Sequence, residues 1–186
     1  MYFLKKSYIS FVSCPYWPTI FVPSPVNRKE KEAPLLRKVM TQDKQFQILL
    51  ADDDDDDTFL FREALEQVSP NSQLSVASNG VELTDNIHST EPKPDLIFLD
   101  MNMPVKNGLE CLEEIRATPG FEDTPIIILS TSVAQYLWES AYKGGANLYI
   151  QKPTSFAGLV NVLEKCLFHS LNQATPTQVE QFLITN

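Results

Sequence analysis

Cysteine and histidine are scarce in this chain, with three Cys and two His among 186 residues. Cys14, Cys111 and Cys166 are odd in number and far apart, with no CxxC pair and no Cys/His spacing. That argues against a disulfide framework or a structural zinc site and fits a reducing compartment. His88 and His169 belong to no partner pattern and read as helix-surface residues. No run of about 18 apolar residues occurs, so no segment reads as a membrane-spanning helix. Positive charge is short outside the N-terminus. Residues 1–40 hold seven Lys/Arg against two acids, so that of the net charge of −9 the remaining residues carry −14. A body this acidic repels a phosphate backbone and makes a poor non-specific binder of nucleic acid.

The ends read differently from the middle. Lys5 and Lys6 precede an apolar stretch with the outline of a signal peptide, but serines interrupt it, and Pro15, Pro18, Pro23 and Pro25 follow at once. Tyr2, Phe3, Tyr8, Phe11, Tyr16 and Trp17 cluster near basic residues, a composition compatible with a membrane-surface anchor. The plainer reading of 1–43 is a disordered extension, or a start assigned too early, with Met40 opening a compact run before the first strand. Residues 44–171 read as one domain and 172–186 as a polar tail, with no nucleic-acid or membrane partner expected.

What the chain does have is six consecutive aspartates, Asp52 to Asp57, directly behind the apolar run 46–51. Such a block of carboxylates needs a cation, a helix N-terminus or solvent to offset its charge. Downstream, strand-like and helix-like patterns alternate. The apolar runs 46–51, 74–77, 96–99, 125–129 and 148–150 are separated by helical stripes, the first through Phe59, Leu60, Ala64, Leu65 and Val68. Five βα units with fully apolar strands imply a doubly wound parallel α/β sheet, covered on both faces. Ligands of such sheets sit beyond the carboxyl ends of the strands.

Those ends carry chemistry. Asp52 and Asp53 follow the first strand, Asp100 the third, Ser130 the fourth and Lys152 the fifth. Asp53 and Asp100 can hold a hard cation such as Mg²⁺. An oxygen of Asp100 can attack a phosphoryl group to give an acyl phosphate, with Lys152 and Ser130 neutralising the transferring oxygens. Met101 and Met103 read as packing residues beside the site.

With the acid pair, Asp100-Met101-Asn102-Met103-Pro104 leading to Gly108, the Ser130 hydroxyl and Lys152-Pro153 in this order, residues 45–170 resemble the response-regulator receiver family of two-component signalling. The resemblance implies a flavodoxin-like (βα)5 fold with strand order 2-1-3-4-5. It implies that Asp100 is the phosphoacceptor and Asp53 a direct ligand of Mg²⁺ or Mn²⁺. Asp52 would act through water, and the Asn102 backbone carbonyl would complete the metal shell. Ser130 would be the switch hydroxyl, Tyr149 the rotameric aromatic and Lys152 the phosphate-pairing cation. The Lys152–Pro153 bond is expected to be cis, and Asn102 and Ser132 are expected to tune hydrolysis of the acyl phosphate. The style of the acidic stretch is similar to stand-alone regulators paired with bacterial phytochromes. The resemblance further implies a cytoplasmic signalling protein, not an enzyme, served by a sensor histidine kinase or a histidine phosphotransfer protein. Its output would be a protein contact or a homodimer through the surface of 134–143, the fifth strand and 155–171.

Other readings of the acid run fit less well. Asp52, Asp54, Asp56, Thr58 and Glu63 fall on EF-hand ligand positions, but Asp57 stands where Gly is needed, and a strand precedes the loop. A haloacid-dehalogenase-type phosphatase also uses an aspartyl nucleophile, but in an Asp-x-Asp-x-Thr/Val pattern after the first strand, and the fifth position here is Asp56. A non-phosphorylated pseudo-receiver scaffold is disfavoured by the intact Asp53, Asp100 and Lys152.

Overall fold

The computed structural model describes residues 45–89, 92–171 and 182–184. The extension of 1–43 lies outside these residues, as does most of the C-terminal tail. The elements are β1 (Gln47–Ala51), α1 (Asp55–Val68), β2 (Gln73–Ala77), α2 (Gly80–Ser89), β3 (Leu96–Asp100), α3 (Gly108–Ala117), β4 (Ile126–Ser130), α4 (Gln135–Lys143), β5 (Leu148–Gln151), α5 (Phe156–Leu171) and β6 (Leu183–Ile184). No helix among the described residues is long and apolar enough to cross a membrane.

The sheet is parallel, in the order β2-β1-β3-β4-β5-β6. Strand side chains alternate between faces, so each apolar strand feeds two cores. Leu49, Ala51, Ile97, Leu99, Ile126 and Ile128 pack on one face, under α2, α3 and α4. Ile48, Leu50, Leu96, Phe98, Ile127 and Leu129 pack on the other, under α1 and α5. The reversal of strand order between β1 and β3 opens a crevice at their carboxyl ends, where the loops leave in opposite directions.

Two readings are corrected. The apolar stripe of α1 is rotated from the expected one: Phe61, Ala64, Leu65 and Val68 are buried, whereas Phe59 and Leu60 are exposed at 61% and 42%. The stretch read as a polar tail supplies a sixth strand. Leu183 and Ile184 pair with Tyr149 and Ile150, and the fully buried Phe182 ring packs edge-on to Tyr142, with centroids 5.1 Å apart. Three apolar residues in a row, one of them aromatic, bury enough surface to seat a strand on an open sheet edge.

Candidate functional site

The β1–α1 junction distributes the aspartate run. Asp52 is the last buried residue of the strand end, with its amide donating to the Ala77 carbonyl at 3.0 Å. Asp54 caps α1, its side chain accepting from the Asp56 and Asp57 amides. Asp55, Asp56 and Asp57 occupy the first turn, where the helix dipole favours carboxylates. Asp53 is exposed between the two groups. The carboxylates that looked like one block therefore have three separate environments.

Asp100 ends β3 and is 6% exposed. Its backbone is held by the start of α3. The Gly108 amide donates to the Met101 carbonyl at 3.1 Å, and a β-carbon at 108 would clash with the Asp100 carbonyl oxygen, so glycine is required by close approach. Asn107 caps this helix in a capping box with Glu110. The Asp100 carboxylate is loosely held: Oδ1 accepts from the Asn102 amide at 3.3 Å and Oδ2 from Lys152 Nζ at 3.2 Å.

Lys152 follows β5, with its amide donating to the Ser130 carbonyl. Its ammonium also donates to Asp52 Oδ2 and Asp57 Oδ2, both at 2.8 Å. Burial pushes the Lys152 pKa down, but the bonds to Asp52 and Asp57 and the charge of Asp100 more than offset this, so the group is held above its ordinary range. Burial pushes the Asp52 carboxyl up, and Lys152 offsets this only in part. Oxygens of Asp52, Asp53 and Asp100 lie within 4.8 Å of one another. An all-oxygen set, open to water at Asp53, fits a hard divalent cation. Both oxygens of Asp52 are already engaged, by Lys152 and by the Asp54 amide at 3.1 Å, which suits contact with a cation through water.

Ser130, fully buried, ends β4 beside Asp100. Its Oγ accepts from the Ser132 amide at 3.2 Å. The Ser132 carbonyl accepts the Tyr149 hydroxyl at 2.8 Å, so Ser132 joins Ser130 to Tyr149. The Tyr149 ring is fully buried in the α2–α3–α4 core, and that burial raises its pKa. A cavity of about 120 Å³ adjoins Lys152, lined by Asp52, Asp57 and Pro153 and by the apolar Leu60, Phe61 and Leu129 among others. Met101 and Met103 are buried beside the site as expected.

Asp57 was not among the expected site residues. The signal was present: with Asp54 as the cap, Asp57 is the third helical residue, and helical side chains lean toward the N-terminus. That direction leads back to the strand edge where Lys152 lies.

A sheet with this order, whose strand ends join paired acids, a third aspartate, a hydroxyl and a lysine, is the framework of a receiver module. The chain belongs to the response-regulator receiver family: the model of the response regulator receiver domain matches residues 48–164. Among its relatives is the response regulator Rcp1 of Synechocystis sp., 28% identical over 122 residues that span 63% of this chain and 83% of Rcp1. A chemotaxis protein CheY homolog of Campylobacter jejuni is 34% identical over 120 residues, covering 64% of this chain and 91% of the relative. Among solved structures, the phosphorylated cyanobacterial phytochrome response regulator RcpA aligns with a TM-score of 0.65 at 28% identity, over 72% of this chain and all of RcpA. The Mn²⁺-bound form of Rcp1 aligns with a TM-score of 0.60 at 27% identity, over 71% of this chain and 97% of Rcp1.

Proposed function

We propose that this receiver accepts a phosphoryl group on Asp100 from a phosphohistidine of a sensor kinase or phosphotransfer protein. The observation that carries the reading is Lys152 Nζ, 3.2 Å from Asp100 and 2.8 Å from Asp52. A cation beside the Asp100 carboxylate at the mouth of the crevice supports that reading. An Asp100 oxygen attacks phosphorus, the P–N bond to the donor imidazole breaks, and its electron pair leaves on nitrogen. Lys152 balances charge on the phosphoryl oxygens. Asp53, Asp100 and the Asn102 carbonyl would hold Mg²⁺ or Mn²⁺, with Asp52 acting through water, and the ion would supply further positive charge.

The acyl phosphate carries about −2 where the carboxylate carried −1, and its added charge and oxygens favour inward movement of Ser130. That movement costs the bond between the Ser130 Oγ and the Ser132 amide, and Ser132 carries the change to Tyr149. The output surface is α4, β5 and α5, now including the β6 edge, and it would meet a downstream protein or a second copy. This is a bias between two arrangements of one fold. Asn102, whose amide reaches Asp100, and Ser132 would tune hydrolysis of the acyl phosphate.

The test is labelling by acetyl phosphate or phosphorylated kinase with Mg²⁺. Wild type should take up label, and Asp100→Asn should take up none. Label persisting in Asp100→Asn sinks the assignment. A wild type that stays unlabelled under every donor marks a pseudo-receiver instead.

A further inference from the structure

We infer that Asp57 is a positioning residue that holds the Lys152 ammonium on the α1 side of the crevice and so sets how readily the site takes a phosphoryl group. The inference rests on the phosphoacceptor reading of Asp100. Three carboxylates share one ammonium, and they are not equivalent. The bonds to Asp52 and Asp57 are 2.8 Å and the bond to Asp100 is 3.2 Å. The two shorter bonds draw Nζ toward β1 and α1, away from the acceptor.

Pairing with a phosphoryl group on Asp100 requires Nζ to move the other way, and one of the short bonds must lengthen. The Asp52 side chain is 3% exposed and would be left buried without its cation, which is costly. The Asp57 side chain is 45% exposed, so water can replace the ammonium. The Asp57 bond is therefore the one that yields, and Asp57 competes with the incoming phosphoryl group for Lys152. Its place in the first turn of α1, fixed by the Asp54 cap, keeps its carboxylate aimed at the crevice.

The experiment titrates full-length protein with beryllofluoride, a non-covalent phosphoryl mimic, at fixed Mg²⁺ and low ionic strength, followed by NMR. Asp57→Asn should bind the mimic about two- to fivefold more tightly than wild type, the range a half-exposed ion pair supports. Asp57→Glu, which restores the charge, should return the affinity toward wild type. The Lys152 Cε resonance should shift in Asp57→Asn before any mimic is added. In a Lys152→Met background the gain from Asp57→Asn should vanish, because the effect passes through the ammonium. Affinity unchanged in Asp57→Asn overturns the inference, and so does a gain of equal size in the Lys152→Met background, which would mark simple charge repulsion. In either case normal uptake of label and mimic by wild type leaves the acceptor reading intact. A wild type that takes up neither overturns both.

Discussion

Val105 stands three residues after Asn102, in the loop that leads from the acceptor strand to α3, with φ at +69°. The Lys106 amide donates to the Pro104 carbonyl at 2.8 Å, which closes a γ-turn on Val105. A β-branched residue in the left-handed region is strained by about 1–2 kcal/mol, and the Val105 side chain is 86% exposed, so it packs on little that could offset this. Asn tolerates that region better, and unlike Gly it does not loosen the unfolded chain further. Val105→Asn should therefore raise unfolding stability by about 1 kcal/mol, read from urea denaturation. An unchanged or lower midpoint would show that the strain is relieved in some other way. At this scale the sequence was legible where a residue's chemistry is tied to a strand end, as for Asp52, Asp100, Ser130 and Lys152. It was not legible where position depends on backbone angles, as at Val105. Where a side chain crosses between elements, as Asp57 does to reach Lys152 across 95 residues of sequence, its direction was legible from the cap but its partner was not.

The elements themselves followed from alternation, because strands buried on both faces must be apolar throughout and helices must repeat every 3.6 residues. Phase within a helix is harder to read. In α1 the run Phe59-Leu60-Phe61 is apolar over more than half a turn, and Phe61 is the one in phase with the buried Ala64, Leu65 and Val68. Phe61 packs edge-on to Phe98 with centroids 4.9 Å apart. β6 was hidden for another reason: two paired residues are too short for a period, and their seating depends on tertiary packing of Phe182. Phe182→Ala should cost about 3 kcal/mol as a buried aromatic truncation, measured by chemical denaturation. It should also speed hydrogen exchange of the Tyr149 amide, which donates to the Phe182 carbonyl at 2.8 Å. A small stability loss with fast Tyr149 exchange would mean that β6 opens locally while the five-stranded sheet persists.

For the molecule as a whole, function costs stability through charge. Burial raises the Asp52 carboxyl, and the crevice gathers Asp52, Asp57 and Asp100 around Lys152, with Asp53 close to Asp52 and Asp100. A divalent cation that binds only the folded state should stabilise it by about 2.7 kcal/mol at a hundredfold excess over its Kd. Thermal unfolding with and without Mg²⁺ reads this, and Asp53→Asn should remove most of the gain. At alkaline pH several groups point one way. Burial pushes the Cys166 thiol up to about 12 and raises Cys111 and Tyr149, and bonds to Asp52 and Asp57 hold Lys152 above its ordinary range. Each keeps its proton in the folded state at a pH where the unfolded chain has lost it. The stability they contribute is therefore fully present below their unfolded values, which begin near 9.0 for the thiols, and is lost as pH rises. Each such group adds a slope of about 1.4 kcal/mol per pH unit within its own window. Stability measured by denaturant should fall steadily from pH 9 toward 12, with neither buried thiol alkylated at neutral pH. Cys166→Ala should make that fall shallower. A slope identical to wild type would mean that Cys166 ionises in the folded protein as readily as in the unfolded chain, and that the α5 core around it admits water.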